Sequence, residues 1–392
     1  MGRRAYLDWN ATAPLRAEAR AAMLAAGETV GNPSSIHAEG RAARALIEVA
    51  RREVADLVGA EPRNVIFTSG GTEANLLALN PGLERGSDQR PRDRLLLSAV
   101  EHASVRCGGR FPADAVEEVP VNADGRVDLA ALERRLAAVA EAGGRPLVSI
   151  MLANNETGVI QPVAAAAAMI TAAGGFLHVD AVQGAGKIPC HINRLGADLM
   201  TLSAHKLGGP KGVGALIKRD ADLHLADPLI KGGGQERGTR AGTENVSGIV
   251  GFGAAAAAAA VSLEAERTRI AGLRDRLEAD LRAISPDAVI FGADVERLPN
   301  TTAFAVPGVT AETALIALDL DGVAVSSGSA CSSGKVAASH VLAAMGVQAD
   351  LARGALRVSL GFSTQDEEVN CFLGAWNKLV SALPKRTHGI AA

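Results

Sequence analysis

Five apolar runs in the first half of the chain each end in small or polar, chemically capable residues. That repetition constrains the fold more than any other feature. Val65-Ile66-Phe67-Thr68 runs into Ser69-Gly70-Gly71-Thr72-Glu73-Ala74-Asn75, and Arg94-Leu95-Leu96-Leu97-Ser98 leads to Glu101-His102. Residues 147–153 deliver Asn154-Asn155-Glu156-Thr157-Gly158; Phe176-Leu177-His178-Val179 delivers Asp180 and Gln183; residues 198–202 deliver Ser203, His205 and Lys206. Short apolar runs bounded by turn formers read as buried strands. A helical pattern at 38–58 precedes them and another at 127–142 lies between them. Strands alternating with helices predict an α/β fold with a mostly parallel sheet and helices on both faces. Ligands of such sheets bind outside the carboxyl ends of the strands.

The chain has 392 residues, 48% of them hydrophobic, which is ample for more than one core. Its net charge is −3 and aromatic residues make up 3%. No basic patch with interleaved aromatics is present, so no nucleic-acid partner is expected. No stretch reads as a membrane span, and Met1-Gly2-Arg3-Arg4 leads into a strand-like segment instead of a signal-peptide core. Cys107, Cys190, Cys331 and Cys371 are far apart, with neither metal-ligand spacing nor a disulfide framework. The expected compartment is the cytoplasm, and no resident metal is expected.

Individual residues carry more than one reading. Lys206 lies in Ser203-Ala204-His205-Lys206-Leu207-Gly208-Gly209-Pro210, a glycine-rich turn between the run at 199–202 and another at 213–217. It is either a solvated loop lysine or an amine whose burial favours the neutral form that a carbonyl cofactor needs for a Schiff base. The turn at Gly70-Gly71-Thr72 either caps a helix or offers its N–H groups to a phosphate. His102, at a strand end, is an acid–base group, a ring that stacks on a ligand, or a half-buried surface histidine. The glycines and arginines of residues 232–245 suggest backbone close to an anion, or a mobile surface loop.

The C-terminal part changes character. Strand patterns at 289–291, 301–306 and 356–360 and helical ones at 315–320 and 335–345 suggest a smaller α+β unit, joined through a long helix at 246–283 that carries an alanine tract. The expected division is 15–260 for a large unit, with 1–14 and 261–392 forming a small one. Cys331 sits in Ser329-Ala330-Cys331-Ser332-Ser333-Gly334, a setting for an exposed, reactive thiol or for an incidental surface cysteine. Arg357, on a strand pattern among apolar residues, suits a carboxylate ligand or a structural ion pair.

Taken together, Gly70-Gly71-Thr72-Glu73, Glu101-His102, Asn154-Asn155-Glu156-Thr157-Gly158, Asp180 with Gln183, Ser203-Ala204-His205-Lys206, Arg240-Ala241-Gly242-Thr243 and Ser329-Ala330-Cys331-Ser332-Ser333-Gly334 resemble the cysteine desulfurases of the NifS/IscS group. These are class V, fold type I enzymes dependent on pyridoxal 5′-phosphate. The resemblance runs in order from about residue 6 to about residue 362. It implies a seven-stranded, mostly parallel sheet in the large unit. It also implies that Lys206 carries the cofactor covalently and moves the substrate Cα proton, that Asp180 pairs with the ring nitrogen, and that Gln183 bonds the ring oxygen. His102 would stack on the ring and shuttle a proton. Gly71, Thr72, Ser203 and His205 would hold the phosphate, with Thr243 reaching in from the second subunit of a homodimer. Asn155 and Arg357 would grip the substrate carboxylate. Cys331 would take sulfur from L-cysteine as a persulfide, releasing L-alanine, and would be the residue to touch an iron–sulfur cluster transiently. The partner would be a sulfur acceptor or an iron–sulfur scaffold protein. The short tail at 383–390, and the absence of an arginine from Gly361-Phe362-Ser363, leave the acceptor open and point to a NifS-like or divergent member. A selenocysteine lyase or class V aminotransferase on the same scaffold, or a non-catalytic sulfur relay, are the competing readings.

Overall fold

The computed structural model describes residues 4–87, 90–328 and 339–382. Its main sheet has seven strands, in the order Val65–Thr68, Gly214–Lys218, Leu199–Ser203, Phe176–Asp180, Pro146–Ser149, Arg94–Ser98 and Val116–Val119. Gly214–Lys218 runs antiparallel to both neighbours and the other six are mutually parallel. Strands covered on both faces are mostly apolar: Leu199, Met200 and Leu202 are all fully buried. Val116–Val119 (Val-Glu-Glu-Val) does not follow that rule, because it is an edge strand with one neighbour. Gly214 is required where it stands, since a Cβ there would lie 2.5 Å from the carbonyl carbon of Gly70.

The flanking helices have legible ends. Ala38–Val58 begins at His37, whose side chain accepts the Gly40 N–H, and stops at Gly59 in the left-handed conformation, φ 64°. Val246–Ile284 is one unbroken helix of 39 residues. Its first half packs Ile249, Phe252, Ala255 and Ala256 into the large core, while Ile270, Leu273, Leu277 and Leu281 enter a second core. This corrects the expectation that no stretch resembles a membrane span. The helix is long and apolar enough to cross a bilayer, but Ile249, Phe252, Ala255, Ala256 and Ala259 on it are buried in the protein. The expected division at residues 260 and 261 falls inside it.

The second core lies under an antiparallel sheet in the order Val289–Ile290, Thr301–Ala305, Leu356–Ser359, Ser326–Ser327. Phe304, fully buried, meets Trp376 edge-on at 5.2 Å and Phe372 at 6.2 Å. Helix Ala311–Leu320 starts earlier than its apolar pattern suggests because Thr310 caps it. The expected helix at 335–345 is described only as His340–Ala344, capped by Ser339. From the N-terminus, Ala5–Tyr6 pairs with Val323–Ala324 and Asp8 bridges to Ser359. The following residues, Asn10 and Ala11, thereby come to rest between the two cores, at the carboxyl ends of the main-sheet strands.

Candidate active site

A cavity of about 320 Å³ opens at those strand ends. Ten of the twelve expected site residues line it: Gly71, Thr72, His102, Asn155, Asp180, Gln183, Ser203, His205, Lys206 and Arg357. Thr243 does not. It is exposed beside Phe67, Thr68 and Ser69, outside the cavity formed by its own chain. Cys331 lies outside the described residues, so its placement is not described.

Asp180 ends its strand with the carboxylate toward the cavity. Oδ2 accepts from Asn75 Nδ2 at 2.8 Å and Oδ1 from the Val182 N–H at 3.0 Å. Asn75 was not singled out in the sequence, although its spacing from Thr72 places both on one face of the helix Gly71–Ala78. Asn75 also donates to Ser104 Oγ at 2.9 Å, which lies 2.8 Å from His102 Nδ1. The Ser104 N–H donates to that same nitrogen. Nδ1 is therefore an acceptor, and the proton of neutral His102 sits on Nε2.

Lys206 is half-buried, and its amine donates to the carbonyls of Asn10 at 2.6 Å and Ala11 at 2.8 Å. It is thus held within the cavity, which sets aside the solvated-loop reading. His205 Nδ1 lies 3.1 Å from Thr12 Oγ1; burial, then the charges of Lys206, Lys211 and Lys187, push its pKa down to about 4. His205 is therefore a neutral hydrogen-bonding group near pH 7. Arg357 is buried and donates to Asn155 O at 2.9 Å and Asp8 Oδ1 at 2.6 Å. Both sequence readings thus meet in one residue, which is ion-paired and also lines the cavity.

The turn before helix Gly71–Ala78 is extended at Gly70 and has no side-chain cap, leaving first-turn N–H groups without a local partner. A Cβ at Gly71 would come within 3.1 Å of Val182 and 3.3 Å of Ser203, so glycine permits the close approach there. Residues 232–245 are not a free loop. Glu236 and Arg237 adopt left-handed φ of 46° and 57°. Arg51 grips the buried Glu236 carboxylate at 2.7 and 2.8 Å, and Arg240 donates to Glu73 and Ser69.

Two buried carboxyl groups stand behind the cavity. Glu101 Oε1 accepts the Met151 N–H at 2.5 Å, while Oε2 has no partner among the described residues. Burial, then the charge of Asp180, raises its pKa well above the usual carboxylate range. Glu156 Oε2 accepts from Ser339 Oγ at 2.5 Å. Burial pushes its pKa up to about 7, against the opposing pull of that hydrogen bond, Arg357 and His102. Among the described residues no group of His, Cys, Asp and Glu is placed to hold a metal ion.

Glu156 gives a signed pH dependence. A carboxyl raised from 4.5 to about 7 on folding adds stability that is complete below 4.5 and lost as pH rises through 7, a change of about 3 kcal/mol. His178 works the other way. Burial pushes its pKa down to about 4, so its contribution is present above 6.5 and lost as pH falls through 4. Glu156→Gln keeps an acceptor and removes the first titration. Denaturant midpoints across this range are expected to show the wild type losing stability relative to the variant as pH rises. Parallel pH curves would remove the assignment.

The family model for aminotransferase class-V matches residues 5–372. A cysteine desulfurase of Cereibacter sphaeroides is 43% identical over 390 residues, covering 97% of this chain and 96% of that protein. Among solved structures, a NifS-like protein from Rickettsia africae ESF-5 matches with a TM-score of 0.86 at 34% identity, over 97% of this chain and 100% of that one. The structure of SspA in complex with cysteine matches with a TM-score of 0.75 at 29% identity, over 91% of this chain and 98% of that one. A match of this extent, together with the residues gathered at the strand ends, means that the chain belongs to the aminotransferase class-V family.

Proposed function

We propose that this chain is a cysteine desulfurase dependent on pyridoxal 5′-phosphate, and that it moves the sulfur of L-cysteine onto Cys331. Full-length similarity to a cysteine desulfurase, with Lys206 and Asp180 in one cavity, carries the reading. The donor set fits the cofactor. Thr72, Ser203, neutral His205 and the uncapped first turn at Gly71 suit a phosphate. Asp180, oriented by Asn75 and Val182, suits a protonated ring nitrogen, and Gln183 Nε2 suits the ring oxygen. Lys206 is the one lysine lining the cavity among the described residues and supplies the amine for the aldehyde. Bound there, the cofactor supplies a sink for the electrons released at the substrate Cα.

The chain's own residues do the rest. Arg357 and Asn155 hold the substrate carboxylate. Lys206 takes and returns the Cα proton, and His102 Nε2 handles the proton of the substrate thiol. The Cys331 thiolate forms an S–S bond with the substrate sulfur as the substrate C–S bond breaks. Carbon keeps that electron pair and takes a proton, so the products are L-alanine and a Cys331 persulfide. Thr243, outside its own cavity, is assigned to the phosphate of a partner subunit in a homodimer. A sulfur acceptor or iron–sulfur scaffold protein then consumes the persulfide. Cys107, Cys190 and Cys371 are free thiols, and the cytoplasm is the proposed compartment.

Purified protein given the cofactor, L-cysteine and a thiol reductant is expected to release alanine and sulfide in equal amounts with no keto acid added. Alanine formation that requires a keto acid, or a protein that takes up no cofactor, would overturn the proposal.

A further inference from the structure

Lys187 lies four residues after Gln183, in the turns between the strand Phe176–Asp180 and the helix Ile192–Leu195. Its stem borders a small crevice beside Gly186 and Leu207. Its amine is turned inward, donating to Gln183 Oε1 at 2.8 Å and Asn10 Oδ1 at 3.1 Å. Both acceptors belong to buried residues. An amide whose oxygen is committed offers only N–H at its other end. Gln183 therefore presents Nε2, which donates to the Asn10 carbonyl at 2.9 Å. Asn10 presents Nδ2 to Asn155 O at 3.2 Å and Thr301 Oγ1 at 2.9 Å. The Asn10 carbonyl that receives Gln183 also receives Lys206 Nζ.

Asn300 Nδ2 also donates to Asn10 Oδ1, at 3.0 Å, so the Lys187 amine sets the polarity of Gln183 and shares in setting that of Asn10, the two amides that flank the reactive lysine. Placing it there is costly. Burial, followed by the charges of Lys206 and Arg357, holds the Lys187 pKa well below the ordinary lysine value. The amide polarity survives either protonation state, because a neutral amine keeps two N–H groups and an ammonium three.

We propose that Lys187 is a positioning residue: by holding the oxygens of Gln183 and Asn10, it commits Gln183 to donate within the cofactor cavity and fixes Asn10 against Lys206. The proposal rests on the cofactor reading given above. Lysine at this position does not contact the reacting atoms; it acts through Gln183 and Asn10.

A double-mutant cycle tests it, using full-length apo-protein titrated with pyridoxal 5′-phosphate and read by the visible absorbance of the bound cofactor. K187M is expected to weaken binding about tenfold, the equivalent of roughly 1.4 kcal/mol, and to shift the pH midpoint of the bound band. Q183A is expected to do the same. The K187M/Q183A protein should lose less than the product of the two single losses, because the lysine acts in part through the glutamine. A purely structural role would leave the band unmoved and make the two losses multiply, and either result would overturn the proposal. Should K187M fail to fold, K187Q, which keeps a donor on a shorter stem, is read in the same cycle, with binding between wild type and Q183A expected. Wild-type protein that takes up no cofactor would defeat the functional reading and this inference together. Wild-type uptake with independent, multiplying losses would defeat only the role of Lys187.

Discussion

Lys206→Ala is expected to leave a colourless protein whose release of alanine from L-cysteine is at least about a thousandfold slower than wild type. Among the described residues Lys206 is the one lysine lining the cavity, and its amine is held at 2.6 and 2.8 Å by two main-chain carbonyls. The two carbonyls hold the amine in place within the cavity. Among the described residues no neighbouring group replaces it. Lys187 is engaged with Gln183 and Asn10, and Arg357 with Asn155 and Asp8. Lys206→Arg separates the two duties of the side chain, since it keeps a cation at the site but no nucleophilic amine. Both variants are expected to lack the visible band and the borohydride-trapped cofactor adduct that wild type gives by mass spectrometry. Activity in Lys206→Arg near the wild-type level would show that charge alone is needed and would refute covalent attachment at this residue.

Much of this site was legible in the sequence because its residues follow directly on buried parallel strands. Asp180 comes after Phe176-Leu177-His178-Val179 and Ser203 after Leu199-Met200-Thr201-Leu202. A doubly covered strand is mostly apolar, so the polar residues after it stand out. Helix ends were legible where caps are local, as at His37 and Gly59. The edge strand Val116–Val119 was not, because its second and third residues are glutamates. Nor were the supporting groups, whose partners are distant in the chain: Lys187 meets Asn10 across 177 positions, and Ser339 meets Glu156 across 183. Glu101 and Glu156 stood in view beside His102 and Asn155. Their perturbed character, however, comes from burial that no local pattern reports. The alanine-rich helix shows the converse, since an apolar composition that would suit a bilayer instead serves two protein cores.

Cys331→Ala separates cofactor chemistry from sulfur transfer. The segment that carries Cys331 begins after Gly328, whose N–H donates to Ala355 O at 2.9 Å, two residues before Arg357. It ends at Ser339 and His340. Ser339 donates to Glu156, next to Asn155, and His340 Nε2 lies 3.0 Å from the carbonyl of Glu101, next to His102. Both anchors are thus within two residues of cavity-lining side chains. Alanine in its place leaves Lys206, Asp180 and Gln183 untouched. The variant is therefore expected to keep the visible band, and L-cysteine should still perturb that band on binding. Alanine and sulfide should fall by at least about a thousandfold, because no thiolate remains to form the S–S bond as the C–S bond breaks. Cys331→Ser makes the stricter control, since a hydroxyl at neutral pH is a poor nucleophile of nearly the same size. Mass spectrometry of wild type after L-cysteine should show one added sulfur on the Cys331 peptide and none on those of Cys107, Cys190 or Cys371. Undiminished alanine release by Cys331→Ala would instead mean that the substrate C–S bond breaks without a protein thiol, and Cys331 would lose its place in the reaction.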